Sequence, residues 1–178
     1  MKNATLILVF CGLVTSVHAQ RFVTREAQIS FLSETPLEDI RAESKEASAI
    51  FDAASGQLAF QVPILSFHFP KALMEEHFNE NYMESEQFPK ASFRGAVAGL
   101  DPDKEGEQIV SVTGALEMHG VSQERTIEGT MVRDGDGWIV EAQFEVACED
   151  HNIDIPKVVT ENIAETIGVT LRAELKLK

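Results

Sequence analysis

Ile167-Gly168-Val169-Thr170-Leu171-Arg172-Ala173-Glu174-Leu175-Lys176-Leu177 sets an apolar or small residue at every second position, with Thr170, Arg172, Glu174 and Lys176 between them. Side chains of a strand point alternately to its two faces, so this stretch is a strand with one dry and one wet face. The same period runs backward through the chain, in Trp138-Val140-Ala142-Phe144-Val146-Cys148, Ile127-Gly129-Met131, Val110-Val112-Gly114-Leu116-Met118, Phe93-Gly95-Val97 and Leu58-Phe60-Val62-Ile64. Turn chemistry separates the runs at Ala54-Ser55-Gly56, Asp101-Pro102-Asp103, His119-Gly120 and Asp134-Gly135-Asp136-Gly137. Weaker alternation over Phe22–Leu32 and Ile40–Phe51 brings the total to about eight strands. Strand after strand with short turns predicts an all-β protein, an antiparallel barrel or sandwich.

Two segments break the period. Pro70, at the first position of a predicted helix, precedes Leu73, Met74, His77 and Phe78 at helical spacing, and Pro156–Ala164 places Val159 and Ile163 four apart. Each reads as a short helix joining two strands.

At the start of the chain, Met1-Lys2-Asn3 carries one positive charge, Ala4 to Val14 is almost wholly apolar, and Val17 and Ala19 stand at −3 and −1 of a cut before Gln20. This is the pattern of a secretory signal peptide over residues 1–19, leaving one domain over 20–178 for the periplasm or the extracellular space. As a helix the apolar run spans only roughly 16 Å, against roughly 30 Å of bilayer core, and no second long run follows; stable membrane insertion is not expected. Cutting there removes Cys11, so Cys148 has no disulfide partner and the fold rests on its core. Residues 20–178 carry 14 Lys and Arg against 29 Asp and Glu, a balance of −15 that repels phosphate backbones and excludes a nucleic-acid partner.

Catalytic motifs are missing. There is no Gly-x-Ser-x-Gly elbow, no phosphate-cradling glycine loop and no Cys-x-x-Cys. His68, His77, His119 and His151 form no i, i+4 or i, i+2 pair, and the calcium-loop imitation at Asp101-Asp103-Glu105-Gly106 fails because Val112 stands where a bidentate Glu is needed. No catalytic residue, metal or cofactor is assigned. Cys148, on the face of Phe144 and Val146, reads as a small buried hydrophobe with a raised thiol pKa. Gly95, Gly114, Gly129 and Ala142 each leave a gap on an apolar face of four consecutive strands. Such gaps either open a cavity within a barrel or relieve crowding where strands coil.

Three stretches carry a resemblance. Leu73-Met74-Glu75-Glu76-His77-Phe78-Asn79-Glu80-Asn81-Tyr82-Met83-Glu84-Ser85 with Phe88-Pro89-Lys90-Ala91-Ser92-Phe93, then Gly114-Ala115-Leu116-Glu117-Met118-His119-Gly120-Val121, then Asp150-His151-Asn152-Ile153-Asp154-Ile155-Pro156, resemble the ordered hallmarks of the YceI-like family over roughly Ile29–Leu175. His151 stands where the family usually has an aromatic residue and Asn152 where it has glycine, and the Asp-x-x-His-Ser opening is absent. The resemblance implies a lipocalin-like antiparallel barrel, commonly exported, that holds a polyisoprenoid, isoprenoid quinone or fatty-acyl chain without catalysis.

The expected walls of such an interior are Phe60, Val62, Phe67, Met74, Phe78, Tyr82, Phe93, Val97, Val112, Gly114, Leu116, Met118, Ile127, Trp138, Phe144, Val169 and Leu171, with His77, Asn79 and His119 as polar groups at its mouth. The expected partner is a hydrophobic small molecule, and a second copy of the chain is the other candidate. Two further readings stand beside this one: a solidly packed acidic interaction module, and an isoprenoid-modifying enzyme using His77 or His119 with Glu76.

Overall fold

A computed structural model describes residues 20–178; the expected signal peptide at 1–19 lies outside the described residues. Eight strands follow one another around a closed antiparallel barrel: β1 (Arg21–Glu34), β2 (Asp39–Asp52), β3 (Gln57–Pro63), β4 (Lys90–Ala98), β5 (Glu107–Met118), β6 (Val121–Asp134), β7 (Gly137–Ala147) and β8 (Thr166–Leu177). Each pairs with the next, and β8 closes on β1 through pairs such as Ile29↔Leu171. The barrel, not the sandwich, is the outcome. Among the described residues no helix is long and apolar enough to cross a membrane.

The alternation of β8 is realised in Leu171, Ala173 and Leu175, all buried, whereas Leu177, at the strand's last position, is exposed. Strands β1 and β2 look weak in the sequence because each changes parity. Phe22 faces inward at an even position, yet beyond the irregularity between Thr24 and Ala27 the inward residues are Ala27, Ile29, Phe31 and Ser33. In β2 the inward set likewise moves from Ala42 and Ser44 to Ala47, Ala49 and Phe51. A bulge inserts one residue and flips the phase of everything beyond it.

The seams between strands are unequal. Whereas β5 and β6 share 12 residue pairs, β2 and β3 share only five, from Ser48↔Gln61 to Asp52↔Gln57. The β6–β7 seam is also short, six pairs from Gly129↔Ala142 to Asp134↔Gly137. Both short seams lie toward the same end, beside Phe51↔Leu58 and Arg133↔Trp138. Two four-stranded sheets, β7-β8-β1-β2 and β3-β4-β5-β6, are therefore joined at one end and diverge toward the other.

The joined end is packed solid. Trp138 meets Phe22 and Phe51 edge-on at ring-centroid distances of 6.5 and 6.2 Å, with Met131 and Leu175 also fully buried. The Arg133 guanidinium lies 5.0 Å from the Trp138 ring and 5.6 Å from Phe22, so its charge rests on π-faces.

At the diverging end, segments outside the sheet fill both gaps. On the β2–β3 side the chain between β3 and β4 bonds back to β2, where Glu43 and His68 exchange backbone hydrogen bonds of 3.2 and 2.8 Å. It continues into the helix α1 (Ala72–His77) and a π turn over Phe78–Tyr82. Pro70 is not the first helical residue: Lys71, extended at φ −121°, is the N-cap, and the Phe69 N–H donates to the Glu75 carboxylate at 3.1 Å. On the β6–β7 side a 3-10 turn over Cys148–His151 closes the gap, with Gln123 Nε2 donating to the Asp150 carbonyl at 2.9 Å and His151 donating from Nδ1 to the Val121 carbonyl at 3.3 Å. The second expected helix is only a 3-10 turn over Lys157–Val159. The β-branched and short polar residues of Val158-Val159-Thr160 and Asn162-Ile163 favour other backbone conformations over a helix.

Of the two readings of the mid-strand glycines, relief of crowding is the one found. Gly114 pairs with Gly95, and a Cβ built on it would overlap the Arg94 carbonyl and the Gly95 Cα. Gly129, opposite Ala142 at the last pair before β6 and β7 part, holds the strands close enough that its Cβ would lie 2.5 Å from the Glu141 carbonyl oxygen. The missing side chains bring backbones together, and Gly114 faces the β4 backbone at this close approach.

Candidate functional site

Between the diverging sheets lies a cavity of about 390 Å³. Each strand that borders it contributes inward residues: Ile29, Phe31 and Ser33 from β1, Ile40 from β2, Val62 from β3, Ala91 from β4, Leu116 and Met118 from β5, Phe144 and Val146 from β7, Ile167 and Val169 from β8. The gap-filling segments complete it with Phe67, Phe69, Met74, Phe78, Tyr82 and Met83 on one side and Cys148, Ile153, Ile155 and Ile163 on the other. Four phenylalanines form its aromatic wall. Phe31 lies 5.4, 5.5 and 5.7 Å from Phe78, Phe67 and Phe69, and Phe69 lies 5.0 Å from Phe78. These are offset and edge-on contacts that aromatic rings prefer.

Polar groups reach the cavity at few points, chiefly Glu38, His77 and Asn162, with the Tyr82 phenol and the Ser33 hydroxyl. Ser33 is already engaged, accepting the Ala164 N–H at 2.8 Å. Burial pushes the Tyr82 phenol above its ordinary pKa. Burial, with the Glu165 charge adding to it, pushes the Cys148 thiol up to about 11. Two other depressions, of about 480 and 340 Å³, lie across strand surfaces among charged side chains such as Glu43, Lys45, Glu141 and Arg172 or Arg25 and Arg94. Neither has the aromatic wall of the first.

Of the expected walls, Val62, Phe67, Met74, Phe78, Tyr82, Leu116, Met118, Phe144 and Val169 come together around this cavity, with His77 at its edge. The others lie elsewhere. Phe93, Val112, Ile127 and Trp138 are buried in the core, Val97 packs half-buried against it, and Gly114 faces Gly95. Leu171 and Phe60 border the two strand-surface depressions. Asn79 turns back on its own helix, donating to the Glu75 carbonyl at 2.9 Å.

His119 anchors a turn. With φ of +49° followed by +74° at Gly120, it forms the two-residue hairpin between Met118 and Val121, a geometry that needs positive φ at both central positions. It donates from Nδ1 to the His151 carbonyl at 3.0 Å and holds the Glu84 carboxylate 3.1 Å from Nε2, while Phe88 packs on its ring at 4.5 Å. Glu84, His119 and His151 belong to the three stretches quoted from the sequence, which thus meet at the diverging end. Asn152, in the glycine position, adopts the left-handed conformation at φ +56° that Asn tolerates better than most residues.

Sequence reasoning missed Ile29, Phe31, Phe69, Cys148, Ile153, Ile155, Ile163 and Ile167. Phe67-His68-Phe69 carried the signal for Phe69, since residues two apart in an extended segment share a face.

A closed antiparallel barrel with one solid end and an apolar, lid-covered chamber at the other defines a lipocalin-like binding architecture. The chain belongs to the YceI-like domain family, whose model matches residues 20–175. Its fold is shared by a polyisoprenoid binding domain from Saccharophagus degradans implicated in plant cell wall breakdown, at 13% identity and TM-score 0.77 over 90% of this chain and 100% of that one. It is shared too by BcnA of Burkholderia cenocepacia, at 17% identity and TM-score 0.70 over 84% and 95% of the two chains. A Campylobacter jejuni YceI protein matches at 17% identity and TM-score 0.62, over 100% and 99%. Among curated proteins none matches.

Proposed function

We propose that this protein is exported, that residues 1–19 are its signal peptide and 20–178 the mature barrel, and that it carries or sequesters a hydrophobic chain in the periplasm or outside the cell, without catalysis. The observation that supports carriage of a hydrophobic chain most directly is the apolar chamber of about 390 Å³ with its four-phenylalanine wall. A methylene fills about the 30 Å³ share of a water molecule, so the chamber takes roughly a dozen carbons. Burying ten methylenes at about 0.8 kcal/mol each provides about 8 kcal/mol before association costs, enough for binding in the micromolar range or weaker. A full-length polyprenyl chain exceeds that capacity several-fold. The likeness to the polyisoprenoid binding domain of Saccharophagus degradans favours an isoprenoid, whereas the volume favours a short isoprenoid or a fatty-acyl chain.

The experiment is native mass spectrometry, with lipid extraction, of the mature protein purified without detergent from its own compartment. A discrete excess mass that extracts as a prenyl or acyl species is the expected result. A bare protein mass that persists after short isoprenoids and fatty acids are added would overturn the reading.

A further inference from the structure

Three stretches of chain border the chamber beyond its strand walls: the β1–β2 connection with the strand ends that flank it (residues 34–39), residues 71–84 with α1, and residues 149–165 before β8. Together they hold 12 carboxylates and two lysines, a net −10 of the −15 carried by residues 20–178. Lys71 Nζ lies 2.7 Å from Glu38 Oε1, a pair that leaves this balance unchanged. Among the described residues no Lys or Arg lines the chamber, and its deep wall is apolar, so the polar end of a bound chain faces the mouth. There it meets a phenol from Tyr82, an imidazole from His77 and a carboxamide from Asn162, hydrogen-bonding groups that serve an uncharged partner, beside the Glu38 carboxylate, which is held by Lys71. A low-dielectric recess rimmed by charges mostly of one sign focuses their field, here against anions.

We propose that the chamber selects chains ending in an uncharged hydrogen-bonding group, an alcohol, amide or carbonyl, and discriminates against chains ending in phosphate or carboxylate. This rests on the carrier reading and names the chemical class within it. The acidic rim supplies no site of its own; it decides which head group the apolar chamber accepts.

The test is calorimetric titration of the mature barrel at neutral pH with decanol, decanamide, decanoate and decyl phosphate, which share one chain length. At low salt the alcohol and amide should bind at least about tenfold more tightly than the two anions, and high salt should narrow the gap. The quadruple variant Glu76→Gln, Glu80→Gln, Glu161→Gln, Glu165→Gln, which touches only rim positions outside the lining, should narrow it at low salt as well. Anions that bind as tightly as the alcohol, or a gap the variant leaves unchanged, would overturn the discrimination while leaving the carrier reading intact. Binding of none of the four would overturn both.

Discussion

Cys148 reports on the chamber from within. Its side chain belongs to the chamber wall with 7% of its surface exposed, and burial, aided by the Glu165 charge, raises its thiol from an ordinary 9.0 to about 11. The thiolate is the reactive species, and a rise of two pKa units lowers its fraction about a hundredfold near pH 8. N-ethylmaleimide should therefore modify residues 20–178 about a hundredfold more slowly than a free-cysteine peptide, before steric shielding is counted. The rate should climb about tenfold per pH unit between 8 and 10, where an exposed thiol levels off near 9, and a bound chain should slow it further. Mass spectrometry of timed aliquots reads all three effects. A rate within about tenfold of the peptide, or one that levels off near pH 9, would refute the placement. The linkage has a definite sign: the folded pKa lies above the unfolded one, so the stability this thiol contributes is full below pH 9 and is lost as pH rises toward 11.

Gly114→Ala should destabilise the barrel by about 1–3 kcal/mol, and a Tm lowered by several degrees would register the collision with β4; an unchanged Tm would show that the strands can part freely there. His119→Asn keeps the left-handed turn but gives up contacts to Glu84 and His151, so it should cost about 1–3 kcal/mol and speed hydrogen exchange over Phe78–Tyr82. Exchange as slow as in the parent would mean the turn does not hold the lid. Trp138 sits in the joined end, so its fluorescence should not move when a chain enters the chamber; a shifted emission maximum would place the ligand in the opposite half.

The strands of the second half of the chain were legible because β4 to β8 keep one parity from end to end, so alternation alone identifies their faces. The first two strands were blurred by the bulges that flip their inward set, and Phe31, at the centre of the aromatic wall, fell in the blurred stretch. About half of the expected wall, from Val62 to Val169, does surround the chamber. Phe93, Ile127 and Trp138 lie elsewhere because alternation tells which face a residue occupies but not how far along the barrel it lies. Trp138 and Phe144 share a face of β7, yet one is sealed in the joined end and the other looks into the chamber. Height along the barrel depends on the short β2–β3 and β6–β7 seams, and register between distant strands leaves no mark in either strand's own residues.

The divergence of the two sheets separates the frame of this molecule from its gauge. Residues that fix the frame, the paired glycines of β4 and β5 and the Phe22-Phe51-Trp138 cluster, lie in the sheets and at the joined end. What measures the chamber are the inserts, the chain from Ile64 to Met83 and that from Cys148 to Ile163, which bear no strand of the barrel. Lengthening an insert or trading one of its phenylalanines for a smaller residue resizes the interior while every strand keeps its neighbour. Such a barrel adapts to new cargo by re-tailoring its stoppers, and its staves stay as they are.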